Sequence, residues 1–249
     1  MVFIDVHCHI DYFGEKETEK IVENAKKVGV GIMLNSGSHV ESLKKTLVLA
    51  EKYSEVKAVL GIFPIDTLKL SEEELEAQIE LIRKNKNKIV AIGEVGIDLK
   101  ESDDLESQKK TFKKFIDLAK ELDKPIVIHS RKAELECIEL LEKSKCKKVI
   151  MHCFSGKKKL IERVKENGWY LSVPTNVNNS QQFQDMVGVV PIEQLFCETD
   201  SPFLHPLKEQ NNEPKNVIYS YKKIAEIKKM PLKEVEEKIE ENYRNLFGI

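Results

Sequence analysis

The chain has no C-x-x-C pair. Its five cysteines, Cys8, Cys137, Cys146, Cys153 and Cys197, are scattered, which argues against a zinc knuckle or a disulfide framework and makes them reduced thiols. No run approaches the ~20 apolar residues of a membrane span. The opening MVFIDVHCHI has neither the positive flank nor the cleavage site of an export signal. A cytoplasmic protein with no membrane partner is the expectation. Excess charge is also missing: the formal net charge is −2, so there is no global positive field, and any phosphate recognition has to be local. No Gly-x-Gly-x-x-Gly turn follows the first apolar run, which weakens a dinucleotide-binding sheet. With no Pro/Gly/Ser-rich linker and no low-complexity tract, residues 1–249 are expected to form one domain. No exposed heptad or partner-binding helix is visible, so no protein partner is predicted.

What is present is an alternation. Eight short β-rich apolar runs occur: VFIDVHC (2–8), GIMLNSG (31–37), KAVLGIF (57–63), IVAIGEVGI (89–97), PIVIHS (125–130), KVIMHCF (148–154), WYLSVPT (169–175) and LFCETD (195–200). Between them lie stretches with helical apolar spacing, such as 18–29 and 107–123, and Ser71 followed by Glu74 forms a capping box. Near-continuous apolar strands separated by helices point to a parallel sheet covered on its faces. Eight units are enough to close a single-domain (β/α)8 TIM barrel, with an open doubly wound sheet as the competitor. The segment 232–248 is expected to be an extra C-terminal helix packed outside the barrel.

Barrel enzymes carry reactive side chains at the C-terminal ends of their strands. The polar residues here fall at those ends: His7 and His9 after strand one, Glu94 after strand four, His129 after strand five, His152 after strand six and Asp200 after strand eight. His7 and His9 are two apart, so on an extended strand both point the same way and can hold one cation. Any one barrel histidine is readily satisfied by hydrogen bonds in a core. Four of them with two carboxylates at matching depth form a costly buried cluster unless a cation satisfies it.

The motifs DVHCH (5–9), GEVGID (93–98), HSR (129–131), HCFSG (152–156), ETDSP (198–202) and NEP (212–214) together resemble the TatD family of metal-dependent deoxyribonucleases, within the amidohydrolase-like superfamily. The resemblance spans almost the whole chain. It implies that His7, His9 and Asp200 hold one divalent metal, that His129 and His152 hold a second, and that Glu94 bridges them. Magnesium, manganese and zinc all suit imidazole and carboxylate donors. It also implies DNA as substrate, with nucleotides removed from a 3′ end. The mechanism that fits is metal-lowered water pKa, attack by the resulting hydroxide on a phosphodiester, and Asp200 as proton acceptor.

Other residues have weaker assignments. Arg131 could grip a phosphate or cap the next helix. Ser155 and Lys157, at a helix start, are placed to face an anion, with Lys158 and Lys159 on a solvated face. His205 lies in the loop after strand eight, and His39 reads as a capping residue. Cys8, Cys153 and Cys197 are better explained by neutral burial than by catalysis, and Trp169 by the core. Asp5 and Glu198 flank ligand positions as supporting groups.

Two departures from the family pattern stand out. Where relatives have Gly-x-His-Pro, this chain has Gly61-Ile62-Phe63-Pro64, so a phosphate-contacting imidazole is missing and Phe63 either stacks on a base or fills a pocket adapted to another substrate. Where they have a basic stretch before Asn212, this chain has Lys208-Glu209-Gln210-Asn211. Both thin the groups that grip phosphate. Two alternatives to a nuclease therefore stand: a metal-dependent hydrolase of a small-molecule ester, lactone or amide, and a non-catalytic nucleic-acid-binding barrel.

Overall fold

The computed structural model describes residues 2–207 and 211–248. Every one of the eight apolar runs forms a strand: β1 (Phe3–Cys8), β2 (Val30–Gly37), β3 (Val56–Leu60), β4 (Ile89–Gly96), β5 (Ile126–His129), β6 (Val149–Met151), β7 (Tyr170–Pro174) and β8 (Leu195–Glu198). The helices are α1 (Glu15–Lys27), α2 (Val40–Lys52), α3 (Pro64–Thr67), α4 (Glu72–Lys84), α5 (Leu105–Glu121), α6 (Glu134–Lys143), α7 (Lys158–Glu166), α8 (Gln181–Val189), α9 (Ile218–Lys228) and α10 (Leu232–Phe247). The strands follow one another in sequence order in a single eight-stranded sheet. The architecture is a (β/α)8 barrel. Strands such as β6 and β8 are buried at every residue, as strands covered on both faces must be. Among the described residues, no helix is long and apolar enough to cross a membrane.

By density of contacts the chain divides into two compact units, one of Ser36–Val48 with Ala58–Trp169, the other comprising the rest. In the unit that holds both ends of the chain, β1 pairs parallel with β2 and β7 with β8. The chain leaving β8 then runs beside the end of β1: the Asp200 amide donates to the His7 carbonyl at 2.9 Å and the His9 amide to the Ser201 carbonyl at 2.7 Å. Helix α10 buries Val235, Ile239, Tyr243 and Leu246. Its Asn242 Nδ2 donates to the carbonyls of Ile192 and Leu195, at 2.8 and 2.9 Å, which fastens it at the start of β8. Tyr221 of α9 exchanges hydrogen bonds with the backbone of Ile4 in β1.

In the other unit, β3, β4, β5 and β6 pair parallel in that order. Here the motif Gly-Glu-Val-Gly has a physical reason. Gly96 sits at φ +149°, and a Cβ there would lie 1.9 Å from the His129 carbonyl oxygen. Only glycine lets β4 approach β5 so closely at the end that carries His129. The capping box of α4 is formed as the sequence predicts, with Glu74 N–H donating to Ser71 Oγ at 3.2 Å and Ser71 N–H to Glu74 Oε2 at 2.8 Å. Trp169 is buried and its indole N–H donates to the Cys146 carbonyl at 2.9 Å. Of the stretch expected to matter before Asn212, Lys208, Glu209 and Gln210 lie outside the described residues.

Candidate metal centre

In the unit built on β1 and β8, His7 and His9 place their Nε2 atoms 3.1 Å apart. Asp200 Oδ1 is 3.6 Å from each of them. The point equidistant from these three atoms lies about 2.0 Å from each, which is the length of a bond from a divalent metal to imidazole or carboxylate. The three residues form a group able to hold a metal ion. His7 and His9 are buried, so in neutral form they present lone pairs with little competition from solvent. Asp200 adopts left-handed backbone at φ +54°. That conformation costs a non-glycine residue on the order of 1–3 kcal/mol, least for Asp and Asn, and the hydrogen bonds to β1 described above hold it there.

Two residues with no role evident from the sequence organise this group. Thr199, just before Asp200, donates its amide to Asp5 Oδ1 at 2.9 Å and its hydroxyl to Asp5 Oδ2 at 2.5 Å. The Asp5 carboxylate thus couples β1 to the Asp200 turn, in keeping with the supporting role its position suggests. Burial pushes the Asp5 carboxyl up to about 8, against the pull of the Thr199 and His7 hydrogen bonds. Asn212, of the NEP motif, is fully buried. Its Nδ2 donates to the Thr199 carbonyl at 2.8 Å and to Thr175 Oγ1 at 2.9 Å, while its Oδ1 accepts from the Glu213 amide at 3.0 Å. The side chain ties the end of β7 to the loop that carries Asp200.

In the unit built on β4 to β6, Glu94 Oε1 lies 2.8 Å from His129 Nδ1 and 3.7 Å from His152 Nε2. The other ring nitrogen of His129, Nε2, lies 2.8 Å from Asp98 Oδ2. Asp98 also accepts from the amides of Lys100 and Glu101 at 2.8 and 3.0 Å. A proton on Nε2 directed at Asp98 leaves Nδ1 as the donor atom on the Glu94 and His152 side, the arrangement by which a carboxylate orients a metal-binding imidazole. Burial opposes the charge on His129, yet the two carboxylates outweigh it and raise its pKa. Burial likewise works to raise Asp98, but the His129 contact and the two amides hold it below the usual range. Asp98 belongs to the GEVGID motif, and nothing in its spacing marks it apart from its neighbours.

The residues expected to touch substrate have varied surroundings. Arg131 is exposed and 3.5 Å from Glu101. The Ser155 hydroxyl donates to Glu134 Oε1 at 2.7 Å. Lys157 is exposed at the N-cap of α7, with no side-chain cap bond. Phe63 meets the His129 ring edge to face, with centroids 4.7 Å apart. Half-buried His205 accepts the Leu207 amide at Nδ1, at 3.1 Å. His39 accepts the Ser42 hydroxyl at its carbonyl, at the start of α2. Cys8 and Cys197 are buried and their thiols are pushed well up by burial, which leaves them un-ionised and unreactive.

A (β/α)8 barrel with imidazole and carboxylate donors at its strand ends fits the class of metal-dependent hydrolases. The TatD related DNase family matches residues 4–248, and the chain belongs to that family. It is 37% identical to an uncharacterised metal-dependent hydrolase of Methanocaldococcus jannaschii, over 98% of this chain and 96% of that one. It is 31% identical to the human deoxyribonuclease TATDN3, over 98% of this chain and 94% of that one. In structure it is similar to the TatD homologue YjjV of Escherichia coli, with a TM-score of 0.91, 28% identity and coverage of 99% and 98%.

Proposed function

We propose that the protein is a two-metal phosphodiesterase, a deoxyribonuclease of the 3′-exonuclease type, working in the cytoplasm as one barrel domain over residues 1–249. The observation that carries this reading is the triangle of His7 Nε2, His9 Nε2 and Asp200 Oδ1, whose size suits a divalent ion. In this reading His7, His9 and Asp200 hold one ion, His129 and His152 a second, and Glu94 serves both. Magnesium, manganese or zinc fits the donor types. When bound, the ions lower the pKa of water and polarise a phosphoryl oxygen.

The chain's own residues supply the rest. Asp200, partly solvent-exposed, accepts the proton of the attacking water and passes it to solvent. Asp98 holds His129 in one tautomer, and Asp5 with Thr199 fixes the angle of Asp200. Arg131 and Lys157 lie exposed after the ligand-bearing strands and attract the DNA backbone, with Ser155 and His205 as further contacts. Phe63 packs against the His129 imidazole and so limits what can lie beside it. The kinship with a protein named as a deoxyribonuclease supports DNA as the substrate.

The test is to incubate metal-reconstituted protein with end-labelled single- and double-stranded DNA, RNA and a panel of carbonyl esters, with Glu94→Ala as control. Progressive loss of a 3′ label from DNA with the intact protein alone is the expected result. Turnover of esters without DNA cleavage, or retention of DNA without cleavage, overturns the reading.

A further inference from the structure

Two large aromatic side chains stay exposed beside the His7, His9 and Asp200 group. Tyr12, in the 3-10 turn Ile10–Tyr12 after β1, is 46% exposed, and Phe203, three residues beyond Asp200, is 51% exposed. The Tyr12 ring lies 5.2 Å from that of His9 by centroid, at a 31° tilt. Phe203 stands 6.3 Å from His9 at 68°, and 6.1 Å from Tyr12 at 88°. The two rings therefore make a right-angled corner at the flank of a ligand imidazole.

The backbone pins both rings to ligand residues. The Tyr12 amide donates to the His9 carbonyl at 3.2 Å, and the Phe203 amide to the Asp200 carbonyl at 2.8 Å. Thr175 Oγ1 further donates to the carbonyl of Leu204, the next residue along, at 2.8 Å. Both rings are thereby fixed beside residues of the proposed metal group. Leaving them in water forgoes the gain of burying them, and clustered exposed aromatics of this kind mark a binding surface. Neither segment, Ile10–Gly14 or Ser201–Leu207, contains a lysine or arginine. Within these two segments no ammonium or guanidinium group competes with the ring faces for a substrate.

We propose that Tyr12 and Phe203 form a stacking corner for a nucleobase next to the bond that is cut. The inference rests on the phosphodiesterase reading above and specifies which part of the substrate is gripped. Stacking explains how a barrel short of phosphate-gripping residues holds a polynucleotide. It also predicts tolerance of base sequence, because every base offers a π-face.

The experiment uses the metal-reconstituted full chain and fluorescence anisotropy. Two 5′-labelled single-stranded oligodeoxynucleotides of equal length are compared, both with phosphorothioate linkages at the 3′ end to block turnover. One is complete and the other is abasic at its two 3′-terminal positions. The intact protein is expected to bind the complete strand about 5- to 150-fold more tightly. Tyr12→Ala and Phe203→Ala each lose most of that preference while binding the abasic strand as the intact protein does, and Tyr12→Phe retains it. Equal binding of both strands by the intact protein, or a preference that survives in the double alanine variant, overturns the inference. The nuclease reading is judged separately, by cleavage of ordinary DNA by the intact protein.

Discussion

His129 is held between two carboxylates, with Nδ1 2.8 Å from Glu94 Oε1 and Nε2 2.8 Å from Asp98 Oδ2. The two edges of one ring thus have different tasks. In the proposed centre Glu94 shares the metal-facing side with His152, and Asp98 would fix the proton on the far side. Replacing Asp98 with alanine is expected to weaken metal binding about 10- to 100-fold while leaving the helical content unchanged. Isothermal titration of the metal-free protein measures it. Unaltered affinity would remove the orienting role of Asp98.

Asp200 combines ligand and proton acceptor in the proposed reaction. Asp200→Asn keeps a ligand oxygen but removes the base, so kcat should fall by about 10²- to 10⁴-fold. Single-turnover cleavage with the metal content checked alongside separates the two roles. Near-normal turnover in a variant with its metals in place assigns the proton to another group.

Gly96→Ala puts a methyl group against the His129 carbonyl, at a backbone angle that alanine resists. A loss of about 2–4 kcal/mol in urea denaturation is expected, as for other strained close contacts. A variant as stable as the intact protein would mean that β4 relaxes away from β5 at no cost.

Asn212→Ala leaves the Thr199 carbonyl without its buried donor, and it also removes the bond that the Thr175 hydroxyl accepts while that hydroxyl keeps donating to the Leu204 carbonyl. The expected cost is about 1–3 kcal/mol of stability. Activity should fall by more than stability accounts for, because the loop carrying Asp200 is then loosened. Equal activity per folded molecule would show that the loop needs no such tie.

These residues also mark what the sequence alone can and cannot reveal. All eight strands were legible because buried parallel strands are apolar along their length, and the pattern repeats with helices between. The strand-end positions of His7, His9, Glu94, His129, His152 and Asp200 are legible because these residues interrupt or end apolar runs; that they bind metal is the proposal above. Thr199 and Asn212 were not: Thr199 meets Asp5 from 194 positions away and Asn212 meets Thr175 from 37. No local periodicity records a contact of that kind. Asp98 sits beside a glycine-rich strand end like any turn aspartate, and only the fold brings His129 to it. For Phe63 the sequence leaves base stacking and pocket filling both open, and in the fold its ring packs against His129; the exposed rings beside His9 are Tyr12 and Phe203, which ordinary apolar patterning does not single out.

In the proposed reaction the His7, His9 and Asp200 triangle is one half of a two-ion centre. Metal content after reconstitution and desalting, measured by mass spectrometry on the intact chain and on His7→Ala/His9→Ala, tests this most directly. About two equivalents are expected in the intact protein and about one in the double variant, with catalysis abolished. Equal metal content in the two proteins would contradict it.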